Sequence, residues 1–157
     1  MITNTNGGFL ITQIKQVSGR IFDRLLQASG VSAFNGAQGR ILYVLWQQDS
    51  VPIAEIVKKT GLAKNTLTVM LDRMESAGLV HRCSDSRDRR RVTVSLTEKA
   101  RGLQTQYDDV SNQINAIYYA GFSEQEVREF EAYLVRILNN LTQQGEKHGE
   151  NIHIHEV

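Results

Sequence analysis

Four arginines lie within five residues near the middle of the 157-residue chain, with one aspartate before them and one among them. The arginines are Arg87, Arg89, Arg90 and Arg91. The aspartates are Asp85 and Asp88. A guanidinium group is always charged and can donate two parallel hydrogen bonds to a phosphate. The spacing predicts a surface that contacts a polyanion such as DNA, and the alternative interpretation is a solvated loop tip.

A second set of side chains suited to DNA begins at Lys64. Asparagine can pair with adenine, lysine can donate to guanine, and the methyl groups of threonine and valine can touch the thymine methyl group. The members of this set are Lys64, Asn65, Thr66, Thr68 and Val69. Arg73 lies further along, where we expect contact with a phosphate. The alternative is an ordinary solvated helix face.

Local patterns predict the elements that would position both sets. Residues 53–59 and 64–76 have the apolar spacing of two short helices, and the turn between them contains Gly61. Strands at residues 79–84 and 92–96 would form a hairpin, here called the wing, whose tip carries the arginines. This order is typical of a winged helix. The second helix would enter the major groove, and the wing would reach the adjacent minor groove or its phosphates.

Further helices are predicted on both sides of this unit. Residues 9–27 have apolar positions at alternating spacings of four and three, and Asn35 is a predicted N-cap for the next helix. Thr97 and Ser123 are predicted to cap two later helices, which carry apolar seams over residues 103–117 and 127–141. The seams predict a dimer interface, with an intramolecular core as the alternative. The predicted fold is mainly α with a small β-hairpin wing, a winged helix-turn-helix flanked by N- and C-terminal dimerisation helices.

The net charge of +1 is the average of two unlike halves. Residues 1–96 hold 13 basic and 7 acidic side chains, a charge of +6, and residues 97–157 hold 5 and 10, a charge of −5. Residues 82–91 alone hold five arginines against two aspartates, a charge of +3. The asymmetry is typical of a nucleic-acid surface in the first half, although unevenly placed solvated charge gives the same arithmetic.

Composition argues against several other classes of protein. The one cysteine, Cys83, excludes an internal disulfide and fits a reducing compartment. The longest apolar run, residues 41–46, is too short to span a bilayer, and no signal peptide is recognisable, so we expect a cytoplasmic protein without a membrane partner. Neither an enzyme nor a cofactor is predicted, because common catalytic motifs are absent. The tail histidines His148, His153 and His155 are interpreted as part of a flexible segment and not as a metal site.

Two stretches resemble a known family. They are IAEIVKKTGLAKNTLTVMLDRMESAGLV and DSRDRRRVTVSLTEKA. With Gln38, they make residues from about 30 to 100 similar to the MarR family of bacterial winged-helix transcriptional regulators. Ala100 and Ser86 depart from the glycine and proline that are common in the family. The first helix also lacks the cysteine of thiol-sensing members, so peroxide sensing by that route is not expected, and Cys83 is interpreted as structural.

The resemblance implies a homodimer that binds a pseudo-palindromic operator in double-stranded DNA, with repression as the expected mode. It assigns Arg90 to the minor groove, with Asp88 as the supporting carboxylate. It also implies a small aromatic or anionic effector bound between the dimerisation helices and the winged helix. Phe22, Tyr43 and Trp46 lie on helices that would line such a cleft, although aromatic residues at helical spacing also suit a core.

These observations divide the chain into four predicted segments. They are an N-terminal dimerisation helix (1–30), a winged helix-turn-helix DNA-binding domain (31–97), C-terminal dimerisation helices (98–143) and a flexible tail (144–157). The alternative function is a winged-helix module for protein–protein association without DNA binding. A third class is a small-molecule-binding protein or enzyme unconnected to DNA.

Overall fold

The computed structural model of the protein describes residues 3–147. Its helices are α1 (Gly7–Ala28), α2 (Gly36–Gln47), α3 (Ile53–Thr60), α4 (Lys64–Ser76), α5 (Glu98–Arg101), α6 (Gln104–Tyr118) and α7 (Glu124–Lys147). Its strands are β1 (Val51–Pro52), β2 (Val80–Ser84) and β3 (Val92–Leu96). The chain is mainly helical with a small antiparallel sheet, which confirms the predicted fold class.

The wing strands pair as predicted, but the sheet also contains a short strand that the sequence pattern did not show. β2 and β3 are antiparallel, with Val80 opposite Leu96 and Ser84 opposite Val92. β1 is two residues long and pairs with the other edge of β3. Two residues are too few to show alternation, and Pro52 has no N–H to donate, so this strand suits only a sheet edge.

The helix ends follow the predicted signals. Gln38 N–H donates to Asn35 Oδ1 at 2.9 Å, and Asn35 N–H donates to Gln38 Oε1 at 3.1 Å. Ser123 N–H donates to Glu126 Oε2 at 2.7 Å in the matching arrangement before α7. α3 ends at Gly61, whose φ of +66° is the left-handed conformation that favours glycine. In each case the hydrogen bond or turn at the helix end involves residues only a few positions apart, so the local sequence could predict it.

The core of the winged-helix unit lies among α2, α3, α4 and the sheet. Its fully buried side chains include Ile41, Leu42, Leu45, Ile56, Leu67, Leu71, Met74, Val80 and Val94. Those from α3 and α4 occupy apolar positions in the spacing that predicted these two helices. Burial of each large aliphatic chain contributes roughly 1.5–3 kcal/mol relative to exposure. The core therefore holds α4 by one face and leaves the opposite face outside.

The helix predicted after Thr97 is interrupted by a tertiary contact. Thr97 caps α5 as predicted, accepting a hydrogen bond from Ala100 N–H at 3.2 Å. The Ala100 carbonyl in turn accepts from Trp46 Nε1 at 3.1 Å and from Leu103 N–H at 3.2 Å. A bond to the residue three positions back is the tighter 3₁₀ arrangement, and it ends α5 at Arg101 before α6 begins.

The two later seams have different outcomes within the protomer. Tyr107, Val110 and Ile114 of α6 are buried, and α6 packs against α1. Leu134 and Leu141 of α7 remain 36% and 62% exposed. Among the described residues, the alternative of an intramolecular core thus holds for most of the α6 seam and fails for the α7 seam.

The end of the chain differs from the predicted division. α7 continues through Lys147, so residues 144–147 are helical and not part of a flexible tail. His148, His153 and His155 lie outside the described residues.

We expect Gly39→Ala to destabilise the protein by about 1–3 kcal/mol, because a methyl group there would overpack the core. A Cβ on Gly39 would lie 2.7 Å from Tyr107 Cε2 and 3.1 Å from Phe34 Cε2. The matched control is Gly102→Ala, where the nearest atom is an ordinary 3.6 Å away and φ is −65°. Thermal unfolding of both variants tests this, and equal melting temperatures would contradict the close packing at Gly39.

Candidate nucleic-acid interface

The outer face of α4 carries the residues that were predicted to read bases. Lys64, Asn65, Thr66, Thr68, Val69 and Arg73 are all exposed. The opposite face is buried through Leu67 and Leu71, so the exposed set shares one side of the helix. Ala63 precedes the helix and its side chain caps none of the first N–H groups. The start of α4 thus presents exposed polar side chains beside unsatisfied backbone donors.

The wing tip is shaped by its two aspartates acting on the backbone. Asp85 Oδ1 accepts from Arg87 N–H at 2.8 Å, and Asp88 Oδ1 accepts from Arg90 N–H at 3.0 Å. The turn closes through Asp85 N–H, which donates to the Arg91 carbonyl at 2.8 Å. Asp88 therefore supports Arg90 through its main chain, whereas the resemblance implied a supporting carboxylate without saying how it acts.

The guanidinium groups at the wing tip remain available. Arg87, Arg89, Arg90 and Arg91 are exposed, and none forms an ion pair with a carboxylate within residues 3–147. Because the neighbouring aspartates bind backbone N–H groups, the four cations project from a turn that is held by other bonds. Such an arrangement can contact phosphates or enter a minor groove without first breaking an ion pair.

Arg82 is not part of this free set. Its Nε and Nη2 donate to Glu75 Oε2 at 3.1 and 2.8 Å, and Nη2 also lies 2.6 Å from Asp72 Oδ1. The Arg82 N–H donates to Glu75 Oε1 at 3.0 Å. These hydrogen bonds lower the pKa of Glu75 and raise that of Arg82. Arg82 therefore ties β2 to α4, and the +3 counted from sequence over residues 82–91 overstates the free charge of the wing.

Asp49 provides a second connection, between α2, β3 and α5. Its Oδ1 accepts from Leu96 N–H at 2.9 Å and from Ser50 N–H at 2.8 Å, and its Oδ2 accepts from Arg101 Nη2. Partial burial opposes ionisation, but the hydrogen bonds from Leu96, Arg101 and Ser50 lower the pKa of Asp49. The local sequence gave no signal for this connection, because Leu96 and Arg101 lie about fifty positions from Asp49 in the chain.

The aromatic residues predicted to bind an effector meet around Tyr107. Ring centroids of Phe22, Tyr43 and Trp46 lie 5.5, 6.2 and 5.0 Å from that of Tyr107. Burial raises the pKa of Tyr107. Tyr107 was predicted only as a seam residue, and its periodic spacing gave no signal for this central position. The cluster joins α1, α2 and α6 at the base of the winged-helix unit.

Two cavities lie outside this cluster. One, of about 380 Å³, lies between α1 and α6 and is lined mainly by apolar side chains such as Ile14, Val17 and Ile117. The other, of about 360 Å³, lies beside the loop from α1 to α2. Residues 3–147 contain no cluster of three side chains arranged to hold a metal ion. In the same part of the chain, no helix combines the length and apolar character needed to cross a membrane.

Comparison with known sequences matches the winged-helix unit. Residues 34–92 fit the model of the MarR family. The HTH-type transcriptional regulator TtmR of Methylorubrum extorquens is 40% identical over 68 residues, which are 43% of this chain and 35% of TtmR. The chain thus matches only about a third of the length of that curated relative.

Solved structures match the flanking helices as well. The transcriptional regulator PA3341 is 31% identical with a TM-score of 0.72, over 87% of this chain and 98% of that one. A mutant MarR from E. coli complexed with operator DNA is 26% identical with a TM-score of 0.74, over 83% and 92% of the two chains. The similarity to solved regulators therefore extends beyond the winged-helix unit to the flanking helices.

We expect Arg82→Gln to lower stability at neutral pH and to lose this effect in acid. The lowered pKa of Glu75 means that its contribution is complete above the ordinary carboxyl pKa and disappears as pH falls through the lowered value. Urea unfolding of wild type and Arg82→Gln from pH 7 to pH 3 measures the difference. Arg128→Gln is the control, because Arg128 pairs at 3.4 Å with a fully solvated Glu124. If the difference in unfolding free energy between wild type and Arg82→Gln does not decrease in acid, the ionic connection is contradicted.

Proposed function

Because this chain belongs to the MarR family of DNA-binding transcriptional regulators, we propose that it acts as a homodimeric repressor. In this proposal it binds a pseudo-palindromic operator in the cytoplasm and is released by a small-molecule effector. The observation that carries the proposal is the wing tip, where exposed arginines that form no ion pair within residues 3–147 are held beside α4 by Arg82. The named relatives are transcriptional regulators and not enzymes.

The DNA contact is proposed for α4 and the wing together. α4 would enter the major groove with Lys64, Asn65, Thr66, Thr68 and Val69 toward the bases, and Arg73 toward a phosphate. The wing would place Arg90 in the minor groove and its neighbouring arginines on phosphates, which set register but not sequence. The hydrogen bonds from Arg82 to Glu75 support a joint contact of α4 and the wing with DNA, because they fix the distance between these two elements.

A second copy of the chain is proposed to cover the apolar faces of α1 and α7. Apart from Tyr43 and Val69, the exposed large hydrophobic side chains among the described residues lie on α1, α6, α7 and the turn before α7. Those on α7 are Tyr133, Leu134, Val135, Ile137, Leu138 and Leu141. A contiguous apolar face of this kind marks an interface. A two-fold dimer would place its α4 helices about 34 Å apart, one turn of DNA.

The effector is proposed to act at the aromatic cluster around Tyr107. Phe22, Tyr43 and Trp46 join α1 and α2 to α6, so a ligand inserted there would separate the dimerisation helices from the winged-helix unit. Tyr43 is 48% exposed and offers the entry side of the cluster. The ligand need only bind more tightly to the conformation of the dimer that does not fit DNA. By reciprocity, bound DNA then weakens the binding of the ligand.

We expect Arg90→Ala to weaken binding to duplex DNA from the promoter region of its own gene and to flatten its salt dependence. Each arginine that leaves the interface should reduce the slope of log K against log salt by roughly one, or two per dimer. Fluorescence anisotropy across a salt series measures both quantities. Arg128→Ala, which removes a cation from α7, should leave them unchanged. Absence of any salt-dependent duplex binding by the wild type would favour the protein–protein module instead.

We expect Leu138→Glu to convert the dimer to a monomer of 17.7 kDa. Leu138 is 45% exposed in the protomer, so a charge there is tolerated by the single chain but would be buried without a partner in the dimer. Sedimentation velocity measures the mass, and circular dichroism checks the fold. Asn139→Asp adds a charge at the adjacent exposed position and serves as the control. A wild type that sediments as a monomer at micromolar concentration would refute the dimer.

A further inference from the structure

Val69 stands apart from the other exposed apolar side chains of the protein. Most of those lie on the faces proposed to form the dimer, whereas Val69 is 51% exposed on the outer face of α4. It lies one helical turn from Asn65 on one side and one turn from Arg73 on the other, because residues four apart are neighbours on a helix. An apolar side chain thus occupies the middle of an otherwise polar row.

The fold of the protomer gives no reason for a valine at this position. Leu67, Leu71 and Met74 already supply the buried face of α4. Branching at Cβ costs rotamer freedom in a helix, so valine and threonine are poorer helix formers than alanine or the long polar residues. Thr66 and Thr68 are also exposed beside Val69. Neither packing nor helix propensity explains three β-branched residues on one exposed turn.

Thr68 adds to the apolar character of this turn. Its hydroxyl donates to the Lys64 carbonyl at 2.9 Å, a bond within its own helix. The hydroxyl is thereby engaged, and the γ-methyl is the group of Thr68 that remains to meet a ligand. Val69 supplies two further γ-methyl groups at the next position, about 100° around the helix. Asn65 lies one turn away on the same face, and its side-chain amide is exposed.

We propose that Val69 selects a thymine in the major groove through contact between its γ-methyl groups and the thymine C5-methyl group. The inference rests on the proposed insertion of α4 into DNA. Thymine is the natural base that presents a methyl group in the major groove, so this contact distinguishes it from adenine, guanine and cytosine. With Asn65 one turn away and suited to adenine, the half-site contains an A/T step under the first turns of α4.

The test removes the methyl group from the DNA and its partner from the protein. Full-length protein first selects duplexes from a random-sequence library, and thymines of the recovered half-site are then replaced one at a time by deoxyuridine. At one thymine per half-site, the replacement should weaken wild-type binding roughly fourfold, the value of one buried methyl group. Val69→Ala should bind the thymine and deoxyuridine duplexes equally. This variant improves helix propensity, so loss of folding does not confuse the result.

The matched control is Asn65→Ala. It removes a reading side chain from the same face, so it should weaken binding to both duplexes and keep the preference for thymine. If every deoxyuridine duplex binds the wild type as well as its thymine parent, or if Val69→Ala retains the preference, the thymine contact is wrong while DNA binding stands. If selection recovers no duplex, the proposed function fails and this inference fails with it.

Discussion

The buried side of α4 is the constraint on which the candidate interface depends. Leu67, Leu71 and Met74 pack into the core among α2, α3 and the sheet, and their helical spacing turns the opposite face away from the protein. Arg82 then joins β2 to the same helix through Glu75 and Asp72. Apolar packing sets the orientation of α4, and the ionic contacts hold the wing against it. The two surfaces proposed to contact DNA are therefore parts of one unit.

The charged side chains near the wing form two groups, those that bind the protein's own donors and those exposed at the tip. Near the wing, carboxylates are used as acceptors for the protein's own donors, with Asp85 and Asp88 on backbone N–H groups and Glu75 on Arg82. The arginines at the tip are left without ion pairs among the described residues. A near-neutral total charge thus coexists with a locally basic surface, because the local field depends on which cations are already paired.

The junction between the winged helix and the dimerisation helices is equally specific. Trp46 binds the Ala100 carbonyl, and Asp49 binds both Leu96 of β3 and Arg101 of α5. Tyr107 packs its ring against aromatic residues of α1 and α2. These contacts join α6 to α2, and α2 to β3 and α5. This connection is the physical basis for the proposed control of DNA binding by a ligand at the cluster.

The amino-acid sequence by itself determined the order of the long helices and the two wing strands, the caps at Asn35 and Ser123, and the exposed face of α4, because these depend on interactions within a few residues. The family resemblance depended on the same local motifs. Tertiary structure alone decided that Arg82 is an internal connection between β2 and α4, since Glu75 and Asp72 lie on another element. It also separated α5 from α6 and made Tyr107 the centre of the aromatic cluster. In each of these cases the partner is distant in the chain, so no local pattern could show it.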